Sequence, residues 1–139
     1  MDEPQPLAGF QERPHTADWA LEVWAPDAPA LFTQAALGMT ALMGLQARSA
    51  PRVSQSFDLT CADLESLLIG FLSELLYLIQ RDGVGFDQFD LTFTDDQLYA
   101  TVSGQPIDRQ AKEIKAVTYH NLRIVETGRG LETTIVFDV

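Results

Sequence analysis

Residues 62–81 read ADLESLLIGFLSELLYLIQR and carry the strongest structural signal in the chain. Apolar side chains recur there at spacings of three and four residues, which places them on one face of an α-helix. Thr60, with Asp63 three residues later, resembles a weak capping box, and Asp82-Gly83 supplies a stop signal. The pattern therefore predicts a helix over 62–81 that packs on a sheet. The side chains expected to be buried there are Leu67, Leu68, Phe71, Leu75 and Leu76.

The segments before this helix follow a strand–helix–strand order. Residues 19–25 alternate between the two sides of a predicted strand, which Pro26 ends. Asp27 is then expected to cap a helix, with Pro29 in its first turn and Gly44 after its end. Residues 53–59 alternate again and predict a second strand. The apolar stripe of the first helix comprises Leu31, Phe32, Ala35, Met39, Leu42 and Met43.

The remainder of the chain has the pattern of β-structure. The predicted parts are a hairpin over 89–102 turning at 95–97, a polar loop over 104–110, a segment over 115–126, a turn at 128–130 and a strand over 131–139. This order predicts an α+β fold in which two helices pack on a largely antiparallel or mixed β-sheet. No repeat or linker divides the chain, so we expect a disordered tail over 1–9 and a single domain over 10–139.

Composition and charge exclude several classes of function. The chain has 139 residues, with 9 Lys+Arg against 20 Asp+Glu and a net charge of −11. Such an acidic chain is unsuited to binding nucleic acid or an anionic membrane by itself, because both need a basic face. The single cysteine excludes an internal disulfide or a thiolate-cluster zinc site, and two histidines exclude an all-histidine site. There is no membrane-spanning run and no signal-peptide pattern, so a cytoplasmic location is expected.

The common catalytic motifs are missing from the sequence. It contains no Walker A loop, GxGxxG, GxSxG or HExxH. Gly83-Val84-Gly85 is interpreted as a helix C-cap and turn, and Cys61 as an inert structural cysteine. The aspartates between residues 82 and 96 do not match an EF-hand, so we interpret them as a solvated loop face.

The two ends of the predicted domain each carry an aspartate beside a strand. His15-Thr16-Ala17-Asp18 precedes the first strand, and the sequence closes with Phe137-Asp138-Val139. We expect these strands to pair antiparallel, so that Asp18 lies beside Asp138 and close to the Val139 α-carboxylate. Three such carboxylates repel each other, and a hard cation with oxygen ligands would hold them together. The alternative is a turn that caps the strand, with Asp18 accepting nearby backbone N–H groups.

His15-Thr16-Ala17-Asp18 also resembles the HTAD signature of the archease family. Further stretches follow in the order typical of that family. They are 31–36 (LFTQAA), 63–65 (DLE), 74–77 (ELLY), 114–120 (IKAVTYH) and 137–139 (FDV). The resemblance covers Phe10 to Val139. The sequence departs from the usual pattern at 19–21, where Trp-Ala-Leu replaces Ile-Gly-Ile, and at Gly70 and Ser73, where Asp and Asn are common.

The resemblance implies a helper protein rather than an enzyme. Archeases activate the GTP-dependent RNA-splicing ligase, which joins 2′,3′-cyclic-phosphate or 3′-phosphate ends to 5′-hydroxyl ends, and they promote ligase guanylylation and repeated turnover. The metal ligands implied for this chain are Asp18, Asp138 and Val139. Oxygen ligands suit calcium, magnesium and manganese alike.

Four further residues are candidates for supporting roles. His15 either orients Asp18 or packs against the strand. Lys115 and His120 belong to the KAVTYH stretch. Lys115 either neutralises the carboxylates or contacts an acidic or phosphate group of the partner. The alternative is a surface lysine in a weak ion pair. Glu74 either contacts the partner or is a solvated helix residue.

Three functions follow from these observations. The first is a metal-binding activator of the RNA ligase, without catalysis of its own, stable nucleic-acid binding or membrane contact. The second is a metal-dependent hydrolase, since carboxylate-bound metals activate water. The third is a chaperone or modulator of RNA-modifying enzymes such as methyltransferases.

Overall fold

A computed structural model describes the backbone of residues 7–14 and 18–139, and the side chains of these residues except Arg13, Pro14 and Asp18. The elements in chain order are β1 (Gly9–Pro14), β2 (Asp18–Ala25), α1 (Ala28–Met43), β3 (Gln46–Ala47), β4 (Val53–Thr60), α2 (Leu64–Asp82), β5 (Val84–Thr94), β6 (Gln97–Arg109), β7 (Ala116–Thr118), β8 (Val125–Thr127) and β9 (Gly130–Asp138).

The described strands form two antiparallel sheets. The first has the order β1-β2-β9-β7, with β8 also paired to β9, and the second has the order β3-β6-β4, with β5 paired to β6. The α+β class and the two helices are as predicted from the sequence. The strands divide into two sheets because β6 pairs with β3, β4 and β5, whereas β9 pairs with β2, β7 and β8.

Helix α1 begins and ends at the predicted signals. The Asp27 carboxylate accepts a hydrogen bond from the Ala30 backbone N–H at 2.9 Å, and Pro29 lies in the first turn. Gly44 follows the helix with φ of 64°, in the left-handed region that favours glycine. The six predicted apolar side chains of α1 are all buried. Local capping and an apolar stripe were therefore enough to locate this helix.

Helix α2 begins later than predicted. Its N-cap is Asp63, whose carboxylate accepts the Ser66 backbone N–H at 2.7 Å. Thr60, the predicted cap, is instead the last residue of β4, where its hydroxyl accepts a hydrogen bond from Gln97. Gly83 ends the helix with φ of 65°. The five side chains predicted to face the core are all buried.

Aromatic side chains join both helices to the second sheet. The Phe32 ring of α1 lies 5.7 Å from the Phe71 ring of α2 and 4.9 Å, edge to face, from the Phe93 ring of β5. Phe71 also stacks on Phe57 of β4 at 6.1 Å. Such pairs add stability beyond the burial of area. They form one core shared by α1, α2 and the second sheet.

Three other predictions are wrong in their local detail. The stretch 104–110 is not a loop, because β6 continues to Arg109 and pairs with β3. Gly83 is the helix cap, but Val84 and Gly85 begin β5 rather than a turn. Asp87 and Asp90 are solvent-exposed as expected but lie on β5, not in a loop.

The N-terminal region contains a strand that the sequence did not indicate. β1 pairs with β2, and Gly9 lies opposite Trp24. A Cβ at Gly9 would stand 2.5 Å from the Trp24 ring, so this position requires glycine or a shift of the ring. The predicted tail over 1–9 falls mainly outside the described residues, and its last residue begins β1. Neither helix in the described ranges is long and apolar enough to cross a membrane.

Candidate metal centre

The centre of the first sheet brings the two ends of the domain together. β2 and β9 pair antiparallel, with Asp18 opposite Asp138, Trp19 opposite Phe137 and Ala25 opposite Leu131. The predicted pairing of these strands is therefore confirmed. Val139 follows Asp138 directly, and Ala116 of β7 lies opposite Asp138 on the other side. Carboxylate-bearing residues from β2 and β9 thus occupy one register position.

The Asp138 side chain is open to solvent at this position. Ile135, Val136 and Phe137 of β9 are buried, whereas Asp138 is exposed and Val139 is half-buried. Within the part of the chain that the structure describes, the Asp138 carboxylate has no hydrogen bond or ion pair. It is therefore available as an oxygen ligand.

Lys115 is held beside Asp138 through its backbone. Its N–H donates to the Asp138 carbonyl at 2.7 Å, and its side chain is exposed. The preceding loop is anchored because the Ala111 and Lys112 N–H groups both donate to the Met43 carbonyl at 3.0 Å. Lys115 therefore occupies a defined place at the end of the sheet.

The other supporting residues occupy different places. His120 follows β7 at the end away from Asp138, and its N–H donates to the Thr118 hydroxyl at 3.3 Å. Glu74 is half-exposed on α2. Nearby, Ser73 and Tyr77 of α2 line a groove of about 240 Å³ together with Lys115. His15 lies outside the described residues.

One contact next to this site was not predicted from the sequence. The Lys112 ammonium lies 3.5 Å from the centroid of the Trp19 ring, and Trp19 is the residue after Asp18. A lysine over an indole ring is attracted by the electron-rich face of the ring. This contact ties the loop before β7 to the start of β2. It was not predictable because the two residues lie far apart in the chain.

The metal ligands predicted from the sequence are all oxygen donors. Asp18, Asp138 and the Val139 carboxylate would supply only oxygen, which calcium, magnesium and manganese prefer. The described side chains by themselves include no group of three His, Cys, Asp or Glu placed to bind a metal. The candidate set therefore depends on Asp18, whose side chain is not described, and on a main-chain carboxylate.

The fold and the strand pairing define the class of this chain: a small α+β domain in which β9 pairs with β2 in the middle of one sheet. Residues 10–139 match the model of the Archease protein family (MTH1598/TM1083). The chain belongs to the archease family.

Relatives support this assignment along most of the chain. Protein archease of Methanosarcina barkeri is 31% identical over 134 residues, covering 90% of this chain and 92% of that protein. A probable protein archease of Mycobacterium tuberculosis is 32% identical over 142 residues, covering 98% of this chain and 78% of that protein.

Two solved structures share the fold. Protein 1598 of Methanobacterium thermoautotrophicum superposes with a TM-score of 0.72 at 24% identity, covering 94% of this chain and 99% of that one. An archease of Thermotoga maritima, described as a possible chaperone, superposes with a TM-score of 0.68 at 21% identity, covering 100% of this chain and 99% of that one.

Proposed function

We propose that this protein is a metal-binding activator of the GTP-dependent RNA-splicing ligase, promoting its guanylylation and multiple turnover in tRNA splicing or RNA repair. Membership of the archease family supports the proposal. The structural observation that carries it is the pairing of Asp18 with Asp138, directly before Val139. The protein acts as a cofactor of an enzyme and performs no catalysis itself.

The proposed cation is calcium, magnesium or manganese. Asp18, Asp138 and the Val139 α-carboxylate would hold it, and His15 would orient Asp18. When bound, the cation supplies a concentrated positive charge that offsets repulsion among the carboxylates. The chain's own residues would position the ligands. The β2–β9 register sets the spacing of Asp18 and Asp138, and the Lys115 N–H donates to the Asp138 carbonyl at the end of β9.

Contact with the ligase is assigned to Lys115 at this end of the sheet and to two residues at other places in the fold. Lys115 is exposed there, so its ammonium is placed to contact an acidic or phosphate group of the partner. His120 and Glu74 are the other proposed contacts. The net charge of −11 suits a basic RNA-handling protein, because charge complementarity speeds association and selects partners. The proposal places the protein in the cytoplasm, without stable RNA binding of its own.

The decisive experiment uses purified ligase with and without this protein. Guanylylation by GTP and ligation under multiple turnover are measured in parallel. We expect stimulation by the wild-type protein and its loss with Asp138→Asn, which keeps the side-chain volume but removes a charged ligand. Glu126→Gln is the matched control, because it removes one exposed carboxylate from β8 of the same sheet.

The result also separates this function from its alternatives. Full stimulation by Asp138→Asn would contradict the metal-dependent proposal. Retention of a methyltransferase but not the ligase in a pull-down would favour a general chaperone. Phosphoester hydrolysis by the protein alone, lost in the same variant, would favour a hydrolase.

A further inference from the structure

The second sheet carries a concave polar surface away from its helix-packed side. Its concavity has a volume of about 330 Å³. We call this surface the Tyr99 face, after its central residue. The side chains that form it are Ser56, Asp58, Asp90, Thr92, Tyr99 and Thr101.

The register of the sheet sets the positions of two carboxylates on the Tyr99 face. Tyr99 of β6 lies between Asp58 of β4 and Thr92 of β5, and Thr101 lies between Ser56 and Asp90. Asp58 and Asp90 therefore stand on opposite sides of β6 and two residues apart along it. Strand spacing and rise per residue put their Cα atoms about 12 Å apart.

Hydrogen bonds among neighbouring side chains occupy both ends of this face. At one end, the Tyr99 hydroxyl donates to Gln97 at 2.7 Å, and Gln97 donates to Thr60 at 3.2 Å. At the other end, Arg52 pairs with Asp87 and donates to Ser103 at 3.1 Å. The Arg52 guanidinium at this end is therefore already paired.

In the middle of the face, the Ser56 and Thr101 hydroxyls are hydrogen-bonded to each other at 3.0 Å. Asp58 and Asp90 are exposed, and within the described ranges neither carboxylate has an ion-pair or hydrogen-bond partner. Tyr99 lies on β6, the strand between those that carry Asp58 and Asp90, and it is 47% exposed. An aromatic ring attracts a cation to its face, and the carboxylates add Coulombic attraction on both sides. The chemistry of this face therefore suits a ligand with more than one positive charge.

A single metal ion does not match this arrangement. A calcium ion takes its ligands at about 2.3–2.6 Å, so carboxylates on backbones about 12 Å apart are poorly placed to chelate one ion. An extended peptide matches better, because side chains on one face of a strand repeat about every 7 Å and arginine and lysine have long stems.

We propose that the Tyr99 face docks an extended, arginine- or lysine-bearing segment of a protein partner. One cationic side chain lies over the Tyr99 ring, and others pair with Asp58 and Asp90. Charge complementarity supports this occupant, since the chain has a net charge of −11 and the face presents two carboxylates without described partners. None of the residues of the proposed metal centre lies on this face, so the two proposals succeed or fail separately.

The test is a titration of the isotope-labelled full chain followed by NMR. The probe is a short capped peptide of alternating arginine and glycine, and the control peptide replaces arginine with glutamate. At about 0.15 M ionic strength, where distant charges are screened, we expect saturable shifts centred on Asp58, Asp90, Tyr99 and Thr101 with the arginine peptide alone. Shifts spread evenly over the acidic surface, or no saturable binding, would overturn the proposal.

Variants distinguish binding at the Tyr99 face from nonspecific attraction of the peptide to the acidic protein. Asp58→Asn with Asp90→Asn is expected to weaken peptide binding about three- to tenfold, because exposed ion pairs are individually weak. Tyr99→Leu is expected to weaken it about two- to fivefold. Glu12→Gln with Glu126→Gln removes the same charge from exposed positions on the first sheet and should leave affinity unchanged. Equal weakening by both double variants, or the same shifts produced by calcium alone, would overturn the proposal.

Discussion

At the scale of single residues, Asp63 shows how one carboxylate sets the start of a helix. It accepts the Ser66 backbone N–H at 2.7 Å, and this bond holds the pKa of the Asp63 carboxyl below its ordinary value. A negative charge at this position also faces the positive end of the helix. The charged form is therefore the one that stabilises the fold.

The first prediction concerns the pH dependence of this cap. Asp63→Asn keeps a capping group and removes the charge. Because the folded pKa is depressed, the charge contributes stability above the unfolded pKa, which is about 4, and this contribution is lost as pH falls through the lower folded pKa. We expect the wild-type melting temperature to exceed that of the variant near pH 7. The difference should shrink below about pH 4, and a difference independent of pH would contradict this.

The second prediction concerns Asp138. We expect manganese or calcium to raise the melting temperature of the wild-type protein and Asp138→Asn to abolish this rise, because the proposed site loses a charged oxygen ligand. Without metal, the variant should melt at the same or a higher temperature, since repulsion among the carboxylates is relieved. Asp18→Asn should behave in the same way, and Glu126→Gln should retain the metal response. An unchanged metal response in both Asn variants would remove these residues from the site.

At the scale of the elements, α2 supplies much of the core through its buried face. Leu75 is fully buried, and Leu75→Ala should cost about 2–5 kcal/mol of unfolding free energy. Leu7, which is 83% exposed, provides the matched control: the same substitution there should change stability by less than about 0.5 kcal/mol. Urea denaturation measures the free energy of unfolding of both variants. A loss below about 0.5 kcal/mol at Leu75 would mean that this face contributes little to the core.

β5 and β6 approach each other closely at Gly104. A Cβ at Gly104 would stand 2.0 Å from the Gly85 carbonyl oxygen, so the backbone itself would have to move. We expect Gly104→Ala to destabilise the protein by about 1–3 kcal/mol or more. Gly128 has no atom within 4 Å of the corresponding position, so Gly128→Ala should be nearly neutral. Similar stabilities of the two variants would contradict the structural role of Gly104.

At the scale of the whole molecule, the proposed metal centre depends on joining the two ends of the domain. Residues added after Val139 would convert its carboxylate into an amide and occupy the space beside Asp138. A C-terminal extension should therefore impair metal-induced stabilisation and ligase activation, because the number of charged ligands falls. An extension of the same composition before Met1 is the control. Equal metal binding and activation by both proteins would show that the Val139 carboxylate is not a ligand.

Local sequence patterns determined both helices and most strands. The Asp27 cap, Pro29 and Gly44 are signals within one segment, as is the apolar stripe of α2, so nearby residues suffice to identify them. The α+β class followed from the order of the predicted helices and strands along the chain. The pairing of β2 with β9 was predicted because a carboxylate cluster required it, and the register confirmed it.

Only the tertiary structure decided the features that depend on distant partners. Residues 104–109 of the predicted polar loop form strand because β3 and β5 pair with them. The strands separate into two sheets because β6 and β9 pair with different partners. β1 has no pattern of its own and is held by β2, while Lys112 meets Trp19 across the fold. The β3–β6 pairing and the Lys112–Trp19 contact gain their free energy from groups far apart in the chain, so local propensity did not reveal them.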